Sequence, residues 1–186
     1  MSMEYKPYFV FKINTSGLSR EDSISELSII FEDLSGLDSM NNPSYSSAIK
    51  QSDEHYKKSL EFSPYLKDME KSDLSDVINK LGEFIKKHDP NSELPVVCMD
   101  LMPFLSRFIN HSDEKLSESF GRRAFIDVKS LFFMSKGYIP TKTNLFKNYA
   151  SFNTTGNEED YRKDALAECF MINSVFWKIL SKRMGM

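Results

Sequence analysis

The first two apolar stretches of the chain predict a β-hairpin. Tyr8–Ile13 and Ile24–Phe31 are rich in β-branched and large apolar residues, which is typical of strands inside a sheet. The polar residues Asn14–Ser23 lie between them and are expected to form the turn. The rest of the chain is organised around this hairpin.

The next apolar pattern has the period of a helix. Between Asp73 and His88, large apolar residues recur at spacings of three and four, which predicts an amphipathic helix capped by Ser72 or Asp73. In the preceding segment, Pro43–Lys71, the periodicity is weak. Its apolar and aromatic positions predict one or two short helices, broken at Pro64: Tyr45, Ile49, Tyr56, Leu60 and Tyr65.

The second half of the chain alternates between strands and helices. Leu94–Met99 predicts a short, central parallel strand, because it is apolar throughout. Four helices are predicted around these strands, and the last of them has a broad apolar face: Leu101–Asn110, Lys129–Lys136, Thr143–Ala150 and Asp160–Lys182.

Composition narrows the class of protein. With 186 residues, 40% of them hydrophobic, the chain is expected to form a single domain over 1–186, with a core over about 8–182. Its net charge of −3 gives no overall attraction to nucleic acid. Cys98 and Cys169 match neither a CxxC nor a zinc spacing, so two reduced thiols in an intracellular (cytoplasmic or nucleus-like) compartment are expected. We see no signal peptide or membrane span and expect no membrane partner.

The hairpin resembles that of the DEDDh group of 3′–5′ exonucleases, which includes ribonuclease T and oligoribonuclease. Those enzymes open with D-x-E-T-T-G-L and continue with I-x-E-[IL] on the next strand. The corresponding residues here are K-I-N-T-S-G-L at 12–18 and I-S-E-L at 24–27. The resemblance implies an α/β fold of ribonuclease H-like, exonuclease type, with a central mixed sheet flanked by helices.

The same resemblance places Lys12 and Asn14 where the family has its first two catalytic carboxylates. In the family, four carboxylates hold two divalent ions that activate a water and stabilise the scissile phosphate. An amide oxygen is a weaker ligand for magnesium or manganese, and an ammonium is none. The charge of Lys12 would repel a nearby divalent ion by several kcal/mol, even at an effective dielectric of about 20.

The remaining motifs of the family are partly kept, and the resemblance implies a further strand within Arg122–Val128. Asp100 follows the predicted central strand where the family has its third carboxylate, although an Asp there is equally explained as a helix N-cap. Asp164 fits the D-A motif of the last helix, and Glu159 stands where the family has the histidine that acts as general base. Lys12 is expected either to pair with Asp100 or Asp164 or to extend to solvent.

Three functions follow from these observations. The first is a catalytically inactive exonuclease-fold protein without metal or cofactor, acting as a protein-interaction adaptor or scaffold and possibly viral or phage-derived, as its Lys-, Ser-, Asn- and Met-rich composition allows. It would offer the tyrosines of Pro43–Leu66 or the aromatic residues Phe170, Phe176 and Trp177 as contacts.

The second function is that of a non-cleaving protein that holds single-stranded nucleic acid. Its basic groove would be formed by four residues: Arg122, Arg123, Lys142 and Lys147. The third is an active exonuclease that uses Asp22 and Glu26 as metal ligands.

Overall fold

The structure, a computed structural model, describes residues 6–19, 21–33, 42–100, 114–149 and 164–183. Within these residues, six strands form one mixed sheet in the order β4-β3-β2-β1-β5-β6. The strands are β1 (Tyr8–Thr15), β2 (Ile24–Glu32), β3 (Ser44–Ile49), β4 (Lys71–Ser72), β5 (Val96–Cys98) and β6 (Phe125–Asp127).

The helices cover both faces of this sheet. They are α1 (Asp53–Phe62), a short 3-10 helix (Pro64–Lys67), α2 (Leu74–His88), α3 (Glu114–Phe120), α4 (Val128–Lys136), α5 (Lys142–Tyr149) and α6 (Ala165–Arg183). None of the described helices combines the length and the apolar character that crossing a bilayer requires. The mixed sheet flanked by helices confirms the predicted fold class.

The hairpin forms the middle of the sheet, as predicted. β1 and β2 are antiparallel, with Lys12 opposite Ser28 and Asn14 opposite Glu26. On its other side β1 pairs in parallel with β5, which in turn pairs in parallel with β6. The prediction of a central parallel strand at 94–99 is therefore confirmed.

Alternation along β1 produces two hydrophobic cores. Phe9, Phe11 and Ile13 point to one face, where they pack against α2 and α3. Tyr8 and Val10 point to the other face, where they pack against α4, α5 and α6. Because Lys12 and Asn14 follow Tyr8 and Val10 at the strand period of two, β1 directs them to the face that α6 covers.

The segment from 43 to 71 differs from its prediction. Its first part, Ser44–Ile49, is strand β3, antiparallel to β2, and only the second part is helical. Tyr45 and Ile49 are four residues apart, a spacing that fits a helix face but also fits one face of a strand. Pairing with β2 decides between the two, and this tertiary contact is not visible in the periodicity.

A buried polar network fixes α6 on the hairpin. The Tyr8 hydroxyl donates to the side-chain oxygen of Asn173, and the Asn173 amide donates to Oε2 of Glu32 at 2.7 Å. Asn42 donates to the same Glu32 oxygen at 2.8 Å. Because a buried polar group without a partner is costly, this set of contacts specifies one register of α6 along the sheet.

Candidate functional site

The residues that correspond to the exonuclease motifs meet where β1, β2 and the start of α6 come together. Lys12, Asn14 and Glu26 occupy alternate positions on two paired strands, so their side chains share the face under α6. Alpha-helical periodicity places Ala165, Glu168 and Cys169 of α6 toward the same face, and all three are buried.

The centre of this site is an ion-paired triad of Lys12, Glu168 and Lys142. Nζ of Lys12 lies 3.1 Å from Oε2 of Glu168, and Nζ of Lys142 contacts Oε1 of the same carboxylate. The side chains of Lys12 and Glu168 are only 13% and 4% exposed. The Lys12 contact lacks the angles of a hydrogen bond, so it acts mainly through charge. The prediction that Lys12 pairs with Asp100 or Asp164 is therefore wrong, since the partner is Glu168.

The two ammonium groups keep Glu168 ionised. Burial alone would raise the pKa of the Glu168 carboxyl, but the charges of Lys12 and Lys142 outweigh burial and lower that pKa below its ordinary value. The neighbouring thiol of Cys169 has its pKa raised by burial, and its Sγ lies 3.4 Å from the carbonyl oxygen of Ser28. Burial also raises the pKa of the Cys98 thiol. Both cysteines are free, buried thiols rather than thiolate nucleophiles.

A second polar cluster, built around Glu26, adjoins the triad. Oε2 of Glu26 accepts from the Tyr65 hydroxyl at 2.7 Å, the Asn14 amide at 3.1 Å and the Ala165 backbone N–H at 3.0 Å. The Ala165 contact places the carboxyl at the N-terminus of α6, where a negative charge is favourable. Asn14 thus serves as a hydrogen-bond donor that joins the hairpin to the 3-10 helix carrying Tyr65.

Burial has a different outcome at Glu26 than at Glu168. Desolvation raises the pKa of the Glu26 carboxyl, with a smaller contribution from the charge of Asp164, and three hydrogen bonds offset this only in part. Oε1 of Glu26 is buried and has no hydrogen-bond partner among the described residues. Among the residues that the structure describes, no lysine forms an ion pair with Glu26, whereas Lys12 and Lys142 both pair with Glu168.

Asp100 and Asp164 have other partners. Asp100, at the end of β5, has a φ of 61° and forms an ion pair with Lys129 of α4. Asp164 precedes α6, and its side chain accepts from the backbone N–H of Ala167, which is the contact of a helix N-cap. Glu159, the remaining predicted position, lies outside the described residues.

The predicted basic groove is not assembled as expected. Arg123 is buried, and its Nε and Nη2 both donate to Oδ2 of Asp89, at 3.0 and 2.8 Å. Because this guanidinium is committed to the core, the prediction that Arg123 contacts nucleic acid is wrong. Lys142 belongs to the triad, whereas Arg122 is exposed. The side chain of Lys147 lies outside the described part of the chain.

Most of the predicted protein-contact residues pack within the fold, and Tyr56 is half-buried beside the Lys71 ammonium. Phe176 is 6% exposed in the core beneath α6, and Phe170 and Trp177 pack against that core. Tyr45 packs against the opposite core, and Tyr65 donates to Glu26. These aromatic residues therefore stabilise the fold, and the exposed apolar residues lie elsewhere.

The side chains of the site do not fit a pair of divalent metal ions. Among the described residues, no group of three or more His, Cys, Asp or Glu side chains is arranged to hold a metal. Glu168, the carboxylate that pairs with Lys12, already has two ammonium partners. Asp22, considered as an alternative ligand, accepts from the Ser19 backbone N–H at 2.6 Å and from the Ser16 hydroxyl at 3.2 Å within the hairpin turn. These hydrogen bonds stabilise the turn and use the oxygens that Asp22 would need to bind a metal.

Comparison with known proteins finds similar structures but no protein that is similar in sequence. No family model and no curated protein matches the sequence. Among solved structures, cell-death related nuclease 4 (CRN-4) matches with a TM-score of 0.62 at 14% identity, over 97% of this chain and 65% of that one. A structure of exonuclease I matches with a TM-score of 0.61 at 12% identity, over 96% of this chain and 41% of that one.

Another similar structure contains nucleic acid. It is E. coli exonuclease I in complex with a dT13 oligonucleotide, with a TM-score of 0.55 and 10% identity, over 96% of this chain and 41% of that one. The chain therefore has the fold of the DEDDh 3′–5′ exonucleases, as the hairpin motif predicted. It spans about two fifths of the length of exonuclease I.

Sequence reasoning missed Glu168 and Tyr65. A signal for Glu168 was present, because this acidic residue falls within the apolar stripe of α6 that includes Ala165, Cys169 and Ile172. A charged residue on a buried helix face needs a partner of opposite charge. Lys12 is such a candidate, because it is a charged residue within the apolar strand β1. The sequence offered no such signal for Tyr65, whose contact with Glu26 joins residues 39 positions apart.

Proposed function

We propose that this chain is an exonuclease-fold protein that does not cleave nucleic acid and that acts as a protein-interaction adaptor. The observation that carries the loss of chemistry is the ion pair between Lys12 and Glu168, with Lys142 on the other carboxylate oxygen. When the hairpin motif is compared with that of the exonuclease family, Lys12 occupies the position of the first metal-binding Asp. Here an ammonium replaces that carboxylate and takes the charge-balancing role of a cation.

The energetics oppose a metal at this position. A divalent cation about 4 Å from the Lys12 ammonium would be repelled by roughly 8 kcal/mol at an effective dielectric of about 20, twice the figure for two unit charges. A metal could bind only if Lys12 left its pair with Glu168, which would leave the Lys12 ammonium without its partner and Glu168 with Lys142 alone. Lysine and a divalent ion therefore exclude each other here.

The adaptor role is supported by where apolar side chains reach the surface. Four large apolar residues between 133 and 139 are exposed, while the charged residues Lys12, Glu168 and Lys142 are paired with one another. Exposed apolar clusters of this kind are typical of interaction surfaces. A protein that keeps the fold, fills the metal position and presents such a surface is suited to binding rather than hydrolysis.

A digestion assay on labelled single-stranded DNA and RNA tests the proposal. Wild-type protein should leave the 3′ ends intact in both magnesium and manganese, at enzyme concentrations where a matched active exonuclease completes digestion. A Glu168→Gln variant is the control, since metal-dependent shortening by the wild type that this variant loses would assign a working site and overturn the proposal.

A second candidate is a protein that holds single-stranded nucleic acid without cutting it. The observation that favours it is the similarity to an exonuclease I structure that contains an oligonucleotide, together with the exposed Arg122. Pairing of Lys12, Lys142 and Arg123 with carboxylates leaves less unmatched positive charge for phosphates. A metal-free gel-shift with the same oligonucleotides separates the two, because binding that weakens steeply with salt would favour this candidate.

A further inference from the structure

Exposed apolar side chains cluster at the C-terminal end of α4 and just beyond it. Within seven consecutive residues, Phe133, Met134, Tyr138 and Ile139 are 49%, 72%, 58% and 70% exposed. We call these four residues, with Lys136 between them, the α4 patch. Two other residues of the same helix, Val128 and Phe132, are buried. The helix therefore already has its core-facing side, and the α4 patch is a second, outward apolar side.

The backbone holds the α4 patch in one arrangement. Gly137 has a φ of 78°, and its N–H donates to the carbonyl oxygen of Phe133 at 2.8 Å, which ends α4 with a left-handed residue. The reversal turns Tyr138 back toward the helix, where its ring packs edge-on against Phe132 at a centroid distance of 5.4 Å. A preorganised apolar surface loses less conformational entropy when a partner binds.

The α4 patch lies in a stretch of the sequence whose charged residues are all basic. Residues 128–157 contain four lysines and no Asp or Glu, a charge of +4 in a chain whose net charge is −3, so the rest of the chain carries −7. Lys129 is neutralised by Asp100 and Lys142 by Glu168. Lys136 is exposed and forms no salt bridge within the described residues. The charged residue of the α4 patch, Lys136, is therefore a cation without an ion-pair partner among the described residues.

We propose that the α4 patch docks an acidic amphipathic segment of another protein, with apolar anchors over Met134 and Ile139 and a carboxylate against Lys136. This inference rests on the proposed adaptor function and names the chemistry of its partner. The positive charge of Lys136 favours a partner segment that carries Asp or Glu. A second copy of this chain packed symmetrically would place Lys136 near its own equivalent. Nucleic acid would leave the aliphatic side chains of Met134 and Ile139 facing phosphates.

A selection experiment tests this docking surface directly. A phage-displayed library of random peptides is selected on the full-length wild-type protein and counter-selected on a Met134→Asp/Ile139→Asp variant. A Leu18→Asp variant is the matched control, since Leu18 is an equally exposed apolar residue, 75% accessible, on the hairpin turn. Thermal unfolding of all variants, whose changes lie at exposed positions, establishes that they remain folded.

The expected result is a set of patch-dependent peptides that combine apolar residues at helical spacing with Asp or Glu. The enriched peptide should lose about tenfold or more in affinity with the double variant and with Lys136→Glu, but keep its affinity with Leu18→Asp. Peptides that are basic, or that bind the double variant equally well, would overturn the proposal. So would a dimer abolished by the double variant, or an oligonucleotide bound through the α4 patch.

Failure here is distinguishable from failure of the proposed function. If no patch-dependent peptide is enriched and the wild type does not shorten single strands, the docking proposal is wrong and the proposed absence of cleavage stands. If peptides bind the α4 patch but the wild type shortens single strands, the docking surface stands and the inactive site is wrong.

Discussion

Lys12 on the first strand and Glu168 on the last helix form a nearly buried ion pair, with 3.1 Å between Nζ and Oε2. The two residues are brought together because β1 directs every second side chain toward α6. At this junction, Lys142 supplies a second ammonium to the same carboxylate. Glu168 is therefore neutralised by two ammonium groups, one from the hairpin and one from α5.

Removing Lys12 should destabilise the fold. Lys12→Met leaves Glu168 buried with only Lys142, and we expect a loss of about 2–4 kcal/mol in unfolding free energy, near the low end for breaking a buried pair because one partner remains. Urea unfolding measures this. Lys50→Met is the control, because Lys50 and Asp73 form a pair that is 58% and 62% exposed; it should change stability by less than about 1 kcal/mol. Equal effects of the two variants would contradict a special role for Lys12.

The Lys12 contribution should depend on pH in a defined direction. Since the pKa of Glu168 lies below its ordinary value in the folded state, the pair stabilises the protein above about pH 4.5 and this stabilisation is lost as pH falls through the lower folded value. The stability difference between wild type and Lys12→Met should therefore be largest near about pH 7 and shrink near about pH 3. Urea titrations at several pH values would show this, and a difference that grows on acidification would contradict it.

Tyr65 should support the Glu26 cluster. Tyr65→Phe removes the hydroxyl that donates to Oε2 of Glu26 at 2.7 Å, and the loss of this donor to a buried carboxyl should cost about 1–3 kcal/mol. The pKa of Glu26 should rise further, because the Tyr65 hydrogen bond is one of the contacts that lower it. Tyr138→Phe, at an exposed tyrosine, is the control and should leave the unfolding free energy unchanged.

The adjacent arginines should respond in opposite ways. Arg123→Met breaks the buried contact with Asp89 and should cost about 3–5 kcal/mol in unfolding free energy. Arg122→Met changes an exposed side chain and should leave stability nearly intact. Chemical unfolding of the two variants side by side measures the contrast. If Arg123→Met instead weakened oligonucleotide binding without loss of stability, our assignment of Arg123 to the core would be wrong.

The hairpin, α2 and the parallel strand β5 could be predicted because periodicity alone reports them. β3 could not, since Tyr45 and Ile49 fit either period and pairing with β2 decides. Part of the site could also be predicted from the sequence. The hairpin motif identified Lys12 and Asn14, but it did not identify Glu168. Choosing between Asp164 and Glu168 requires the position of α6 along β1, which the buried contacts of Tyr8, Asn173 and Glu32 fix. Side-chain networks between distant segments leave no periodic signal.

Binding of Mn²⁺ tests the central claim most directly. Titration of wild-type protein with Mn²⁺, followed by electron paramagnetic resonance of the free ion, should show no saturable site near neutral pH, because the Lys12 ammonium occupies the position a cation would need. A Lys12→Asp/Asn14→Glu variant, verified as folded, should gain affinity for the ion. Saturable Mn²⁺ binding by the wild type that Glu168→Gln abolishes would contradict the account, since it would show that Lys12 does not replace the metal.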